Sequence, residues 1–296
     1  MELNWLEDFI ALAETRNFSR AAELRNITQP AFSRRVRALE DWVGTPLFER
    51  GASGVDLTPA GKQFRHGAED LVRRILHLRH ETREAGGQEA ATLRFAATHA
   101  LSFTFFPDWI RNAGGLAGPV RLVSDSMQAC EDLLLHGQAQ FVLCHVHATA
   151  PNRFPPDQFR SRVVGGDALV PLVAPDENGE PKWRLSVGAA DLPYLAYSAE
   201  SGLGRIVQAH RFGDRATGLR PVFSAHLAAS LLGMARDGWG IAWLPRTLAE
   251  RELADGRLLR AGDNEWDVPV EIRLFRPAAR QSPAAEAFWR RTDPGE

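Results

Sequence analysis

Residues 30–39 hold Arg34, Arg35 and Arg37 and no acidic side chain. Guanidinium groups clustered this way offer bidentate donors to guanine edges or phosphate oxygens. Gln29, just upstream, carries an amide that can reach a base edge, and Ser33 adds a hydroxyl. A second set of polar groups is scattered further along: Thr98, His99 and Ser102, then Ser198 and Ser201, then Ser224 and His226. Brought together, these seven would suit a small polar or anionic ligand; singly, the hydroxyls read equally well as helix caps. Cys130, Cys144, Met127 and Met234 are the sulfurs on which an oxidant could act, the ordinary alternative being core filling.

Other chemistries find little footing. Cys144-His145-Val146-His147 puts two imidazoles on one strand face, but no third or fourth ligand stands at zinc-like spacing, so no metal or other cofactor is expected. A Gly-x-Ser-x-Gly elbow is absent, and Gly202-Leu203-Gly204 lacks the third glycine of a dinucleotide loop. The expectation is a protein that is not an enzyme. The competing class is a small-molecule enzyme or binding protein that carries a DNA-binding appendage.

The elements that must hold these groups can be read from hydrophobic spacing. Leu3, Leu6, Phe9, Ile10 and Ala13 predict a first helix with one buried face. Ser19 is the candidate cap of a short second helix reaching about Leu24. Thr28 and Pro30 open a third, predicted over 29–43, in which Phe32, Val36, Leu39 and Val43 lie within about 40° of one another. Ser33, Arg34 and Arg37 fall on its other face. A solvated arginine face is the ordinary reading of a lone helix, but the adjoining segment shifts the balance. Leu47–Arg50 and Val55–Leu57 read as a hairpin around Gly51-Ala52-Ser53-Gly54. Three helices and a hairpin make a winged helix-turn-helix, with Thr28, Arg37 and Arg50 placed for phosphate or rim contacts. Thr58-Pro59 then opens a helix to about Ala85, along which Phe64, Ala68, Leu71, Ile75 and Leu78 form a heptad seam. Such a rod, about 40 Å long, outreaches a 60-residue domain, so dimerisation along the seam is expected over packing on the chain's own domains.

From Thr92 strands alternate with helices, which predicts parallel sheets covered by helices. Strands are expected over 93–97, 120–123, 141–144, 169–174, 194–197, 222–223, 241–244 and 270–275. The helices between and after them are expected over 102–112, 127–136, 203–210, 227–236 and 283–291. The expected organisation is a DNA-binding domain over 1–58, a linker and dimerisation helix over 59–87, and an effector domain over 88–296. Its lobe I is placed at about 92–163 and 267–296, and lobe II at about 164–266.

The run Asn17-Phe-Ser-Arg-Ala-Ala-Glu-Leu-Arg-Asn-Ile-Thr-Gln-Pro-Ala-Phe-Ser-Arg-Arg-Val-Arg-Ala-Leu-Glu40, with Gly44-Thr-Pro-Leu-Phe-Glu-Arg50 and Leu57-Thr-Pro-Ala-Gly61, resembles the DNA-binding domain of LysR-type transcriptional regulators. Asp237-Gly-Trp-Gly-Ile-Ala-Trp-Leu-Pro245 is similar to a stretch of the same family. The resemblance implies base-facing roles for Gln29, Ser33 and Arg34. It also implies a two-lobed domain of type 2 periplasmic-binding-protein kind and a dimer or dimer of dimers. On double-stranded DNA such an assembly meets an inverted repeat, and contacts with RNA polymerase change when an effector binds. Arg25 departs from the family pattern, which has an apolar residue there. The run Arg25–Glu40 with Trp243-Leu244-Pro245 also resembles the hypochlorite-responsive subgroup, which implies an oxidant and an oxidative stress response.

Composition fits this reading without announcing it. The chain has 296 residues, 44 % hydrophobic and 24 % charged, with net charge −2. Residues 1–62 hold eight basic and nine acidic side chains, so any affinity for nucleic acid must come from where charges sit. No apolar run has membrane-spanning length, and the start lacks the basic-then-apolar order of a secretory signal. Two cysteines cannot build a disulfide framework. Cytoplasmic placement, with no membrane contact, is the expectation.

Overall fold

The computed structural model describes residues 2–51, 54–86, 92–114, 118–186, 191–210 and 218–292. The chain divides into two compact units, residues 1–89 with 135–138, and the remainder.

The N-terminal unit opens with α1 (Leu3–Thr15), α2 (Phe18–Leu24) and α3 (Gln29–Val43). The hairpin β1 (Phe48–Gly51) and β2 (Gly54–Leu57) comes next, and then the rod α4 (Pro59–Ala85). Leu6, Phe9, Leu39, Leu47, Ala68 and Val72 form one apolar cluster; Leu12, Ala21, Ala22, Phe32 and Val36 form another. The cap of α2 is Asn17, not Ser19: its side chain accepts from the amides of Ser19 and Arg20. Thr28 holds the N-cap position of α3 without a side-chain bond, while Thr58 Oγ1 accepts from Gly61 N at 3.0 Å to cap α4. Gly61 is required here, because a Cβ would stand 2.0 Å from the Leu47 carbonyl oxygen.

The C-terminal unit carries two sheets. Lobe I is built on β3 (Leu93–Thr98), β4 (Val120–Asp125) and β5 (Phe141–Val146). β3 runs parallel to both its neighbours. The sheet continues through β11 (Val268–Pro277), antiparallel to β5 and to β6 (Phe159–Val173). Phe95 packs among Phe106, Phe141 and Phe288 at its centre. Lobe II adds β9 (Ala242–Pro245) and β10 (Leu259–Arg260), both antiparallel to β6, and the parallel pair β7 (Leu192–Tyr197) and β8 (Leu219–Ala225). Its core is fixed by Trp243, whose indole N–H donates to the Trp266 carbonyl at 2.9 Å.

The helices are α5 (His99–Thr104), α6 (Phe106–Asn112), α7 (Met127–Leu135), α8 (Gly202–His210), α9 (Ala228–Arg236), α10 (Arg246–Ala254) and α11 (Pro283–Arg291). Two expectations need correction. The helix expected over 102–112 begins at His99 and breaks at Phe105, beside Pro107 in the first turn of α6. The strand expected over 169–174 is the last third of the fifteen-residue β6, which serves both lobes. Both α10 and β10 went unread.

Candidate functional site

Two sites emerge, one in each unit. In the first, α3 buries Phe32, Val36 and Leu39 and presents Gln29, Arg34 and Arg37 to solvent. The Gln29 amide donates to Ser33 Oγ at 3.2 Å, which orients the first two groups of that face. Thr28 is exposed at the helix start. Arg50 lies in β1, but its side chain falls outside the described residues. The wing is pinned to the end of α1: Val55 N donates to the Arg16 carbonyl at 3.0 Å, and the Arg16 guanidinium pairs with Asp56.

Arg25 has a role that composition did not show. Its Nε donates to Asp8 Oδ1 at 2.8 Å, and its Nη2 pairs with Glu7. Asp8 is wholly buried and is also approached by Arg35 of α3 at 3.4 Å. Burial alone would lower the Arg25 pKa; the bonds to Asp8 and Glu7 outweigh it and raise it. An ion-paired arginine thus ties the helix-turn-helix turn to α1, and the same carboxylate tethers the recognition helix.

Along α4 the five seam residues part company. Ala68 is buried in the unit's own core, and Phe64 meets Phe9 edge-on at 5.0 Å. Leu71, Ile75 and Leu78 remain 44 %, 41 % and 63 % exposed.

The second site lies at the carboxyl ends of the parallel strands. β3, β4 and β5 deliver Thr98, His99, Asp125, Ser126 and His145; lobe II delivers Ser201 and His226. These residues line a cavity of about 30 Å³, room for an ion or two waters. The amino-terminal ends of α5, α7, α8 and α9 all border it, at His99, Met127, Gly202 and Ala228. Exposed N–H groups and helix dipoles there favour negative charge. The rings of His99 and His226 stand 5.7 Å apart, centre to centre. His99 Nδ1 lies 3.1 Å from Ser124 Oγ, and His226 Nδ1 lies 3.8 Å from Glu200. Burial holds the His99 pKa down; Asp125 pulls it up, and His226 adds to the lowering. Behind them His145 Nε2 lies 3.5 Å from Asp167, whose pKa is held low against burial by His145 and by Thr247, its hydroxyl 2.6 Å away.

Of the seven residues expected in a cleft, Thr98, His99, Ser201 and His226 line the cavity. Ser102 stands behind, 2.8 Å from Ser124. Ser198 and Ser224 are not among the lining residues. Sequence reasoning did not assign Asp125, Ser126, Met127 and His145 to this site. The signal was available: each stands at or just beyond the carboxyl end of a predicted parallel strand, as Thr98 does.

The sulfurs divide in the same way. Cys130 and Cys144 are fully buried, and burial pushes the Cys130 thiol up to about 12 and that of Cys144 well above its usual value. Met127 lines the cavity and packs against Gly202, where an added Cβ would stand 2.9 Å from Met127 Cβ. His147 pairs with Thr149 and faces His210, not His145. Among the described residues no group of three His, Cys, Asp or Glu is placed to hold a metal ion.

Residues 3–62 match the family model described as bacterial regulatory helix-turn-helix protein, lysR family, and residues 86–293 match the LysR substrate binding domain. The HTH-type transcriptional regulator YjiE of Escherichia coli K12 is 33 % identical over 98 % of this chain and 93 % of its own length. DarR of Vibrio fischeri, solved in complex with DNA, is 34 % identical with a TM-score of 0.57, covering 99 % of this chain and 98 % of that one. Full-length HypT of Salmonella typhimurium, described as a hypochlorite-specific LysR-type regulator, is 32 % identical with a TM-score of 0.58 over 98 % and 96 %. The HypT regulatory domain has been solved with bromide bound; it is 28 % identical with a TM-score of 0.57, covering 68 % of this chain and 93 % of that domain.

Proposed function

This chain belongs to the LysR family of bacterial transcriptional regulators, and from that membership we infer how its residues divide the work. It is a DNA-binding transcriptional regulator with an effector-binding domain, and members of this family are not enzymes. The reading of an enzyme with a DNA-binding appendage is thereby set aside. No helix among the described residues is long and apolar enough to cross a membrane.

The proposed reader is the outward face of α3, with Gln29, Ser33 and Arg34 on base edges. Thr28, Arg37 and Arg50 are assigned to phosphates or the rim. The proposed assembly pairs two α4 rods through Leu71, Ile75 and Leu78, giving a dimer or a dimer of dimers whose readers meet an inverted repeat. The proposed effector is a small anion in the cavity of the C-terminal unit; the bromide in the HypT domain supports that class. Because the cavity draws on both lobes, an effector that prefers one lobe arrangement shifts the population toward it. That shift re-spaces the readers and alters contacts with RNA polymerase in the cytoplasm.

One observation carries the DNA reading: Arg34 and Arg37 stand exposed on a helix whose opposite face is spent on the core. The test is genome-wide footprinting of the wild type and of Arg34→Ala, with and without effector; an unchanged footprint in the variant refutes the assignment.

A second reading, membership of the hypochlorite-responsive subgroup, is supported by the resemblance of the Arg25–Glu40 run, by the likeness to HypT and by Met127, a thioether lining the cavity. Peptide mass mapping after stoichiometric hypochlorite tests it. A DNA response that persists while Met127 stays unoxidised sinks it.

A further inference from the structure

Four helix amino-termini border the cavity between the lobes, yet no arginine or lysine is found among its described lining residues. Its cationisable side chains are His99, His145 and His226. Arg205, nearby on α8, is engaged by both carboxylate oxygens of buried Glu131, at 2.8 and 3.0 Å. His145 is already turned to the buried carboxylate of Asp167, 3.5 Å away. His226 has Glu200 beside it, and both are two-fifths exposed. His99 remains. Its Nδ1 is anchored near Ser124, its ring faces His226, and Asp125 ends the neighbouring strand. An anion arriving beside Asp125 would make a second negative charge that the helix N-termini answer only in part. A proton on His99 answers it.

We propose, resting on the anionic-effector reading above, that the cavity takes up a small monovalent anion together with one proton, carried on His99, so that the ligand enters as the elements of a monobasic acid. In the empty cavity, burial and the facing His226 keep the His99 imidazole neutral near neutral pH, although Asp125 works the other way. The anion reverses that balance. Coupling is reciprocal, so whatever factor the anion adds to proton affinity, the proton adds to anion affinity. Anion affinity therefore rises as pH falls. In the range where free His99 is neutral and the bound complex protonated, apparent Kd grows about tenfold per pH unit.

Sodium bromide is the probe. The full chain is titrated from pH 5.5 to 8.5 at constant ionic strength set with gluconate, an anion too large for the cavity, and the rise in thermal midpoint is read as a Kd. The wild type should lose affinity about tenfold per pH unit above the titration midpoint of free His99. His99→Gln should bind with a flat profile. His226→Gln should keep the slope but move its midpoint upward, since the facing imidazole no longer opposes the proton. Should a variant fail to fold, proton uptake by the wild type in weakly buffered solution at pH 7.5 decides, with about one proton per bromide expected. Bromide binding with one Kd throughout, or with no proton uptake, overturns the coupling and leaves the anionic-effector reading standing. No bromide binding at any pH removes both.

Discussion

Arg34 stands exposed on α3 and is proposed to sit on a base edge. Its replacement by alanine should weaken specific DNA binding by about 1–3 kcal/mol, read in a mobility-shift titration, while affinity for unrelated sequence falls far less. Arg25 should behave differently, because it touches buried Asp8 and not the reading face. Arg25→Ala leaves that carboxylate with Arg35 at 3.4 Å, and should destabilise the N-terminal unit on the order of 3 kcal/mol in urea unfolding. An unchanged unfolding midpoint would show that Arg35 compensates. The two thiols should resist maleimide at pH 8 in the folded protein and react once it is unfolded, because burial leaves almost no thiolate. The face of α3 was readable from sequence because one helix carries all of it. Arg25 was not, because its partners stand 17 and 18 residues away on another helix. Asn17 and Ser19 were equally good caps by type, and only the backbone path selects Asn17.

At the scale of elements, α4 shows what periodicity reports and what it omits. The 4, 3, 4, 3 spacing of its apolar residues marks a buried stripe but not what buries it. The fold answers for Phe64 and Ala68, which serve the chain's own core. Leu71, Ile75 and Leu78 stay exposed, and the proposed dimer would cover them. Phe64 is partly buried against the chain's own core, so Phe64→Ala should cost about 2 kcal/mol of stability, less than loss of a fully buried ring, while leaving oligomer size unchanged. Leu71→Glu with Leu78→Glu should leave stability almost untouched and yield monomers in light scattering; an intact oligomer would refute the seam. The first two thirds of β6 escaped notice because Arg160, Arg162, Gly165 and Gly166 interrupt its alternation, and a register shift at Ile272/Arg273 breaks its pairing with β11. A strand shared by two lobes meets different neighbours along its length and so lacks one pattern.

For the whole molecule, the order of strands and helices was enough to expect two α/β lobes with a ligand at the strand ends. The same rule, applied to the ends of β4 and β5, would also have brought Asp125, Met127 and His145 to the cavity of Thr98. Asp167 underlies that cavity and links β6 to His145 and Thr247. In the folded state its pKa is held below the usual carboxylate value by His145 and Thr247, against the effect of burial. A depressed carboxylate stabilises the fold above its unfolded pKa, and that contribution is lost as pH falls through the folded value. Thermal midpoints of the C-terminal unit should therefore drop as pH is taken below about 4, and less steeply in Asp167→Asn. A parallel decline in the variant would assign acid lability elsewhere.

The seat of β11 bears on how the protein is made. That strand lies between β5 and β6, so the middle of the largest sheet is filled by residues 268–277, which leave the ribosome long after the strands on either side. Until Pro277 has emerged, the sensor is a sheet with a gap between two exposed edges, while the DNA reader has long been free to fold. A message truncated upstream of Val268 would therefore encode a protein able to occupy promoters but blind to its signal, and such fragments should act dominantly over the intact regulator.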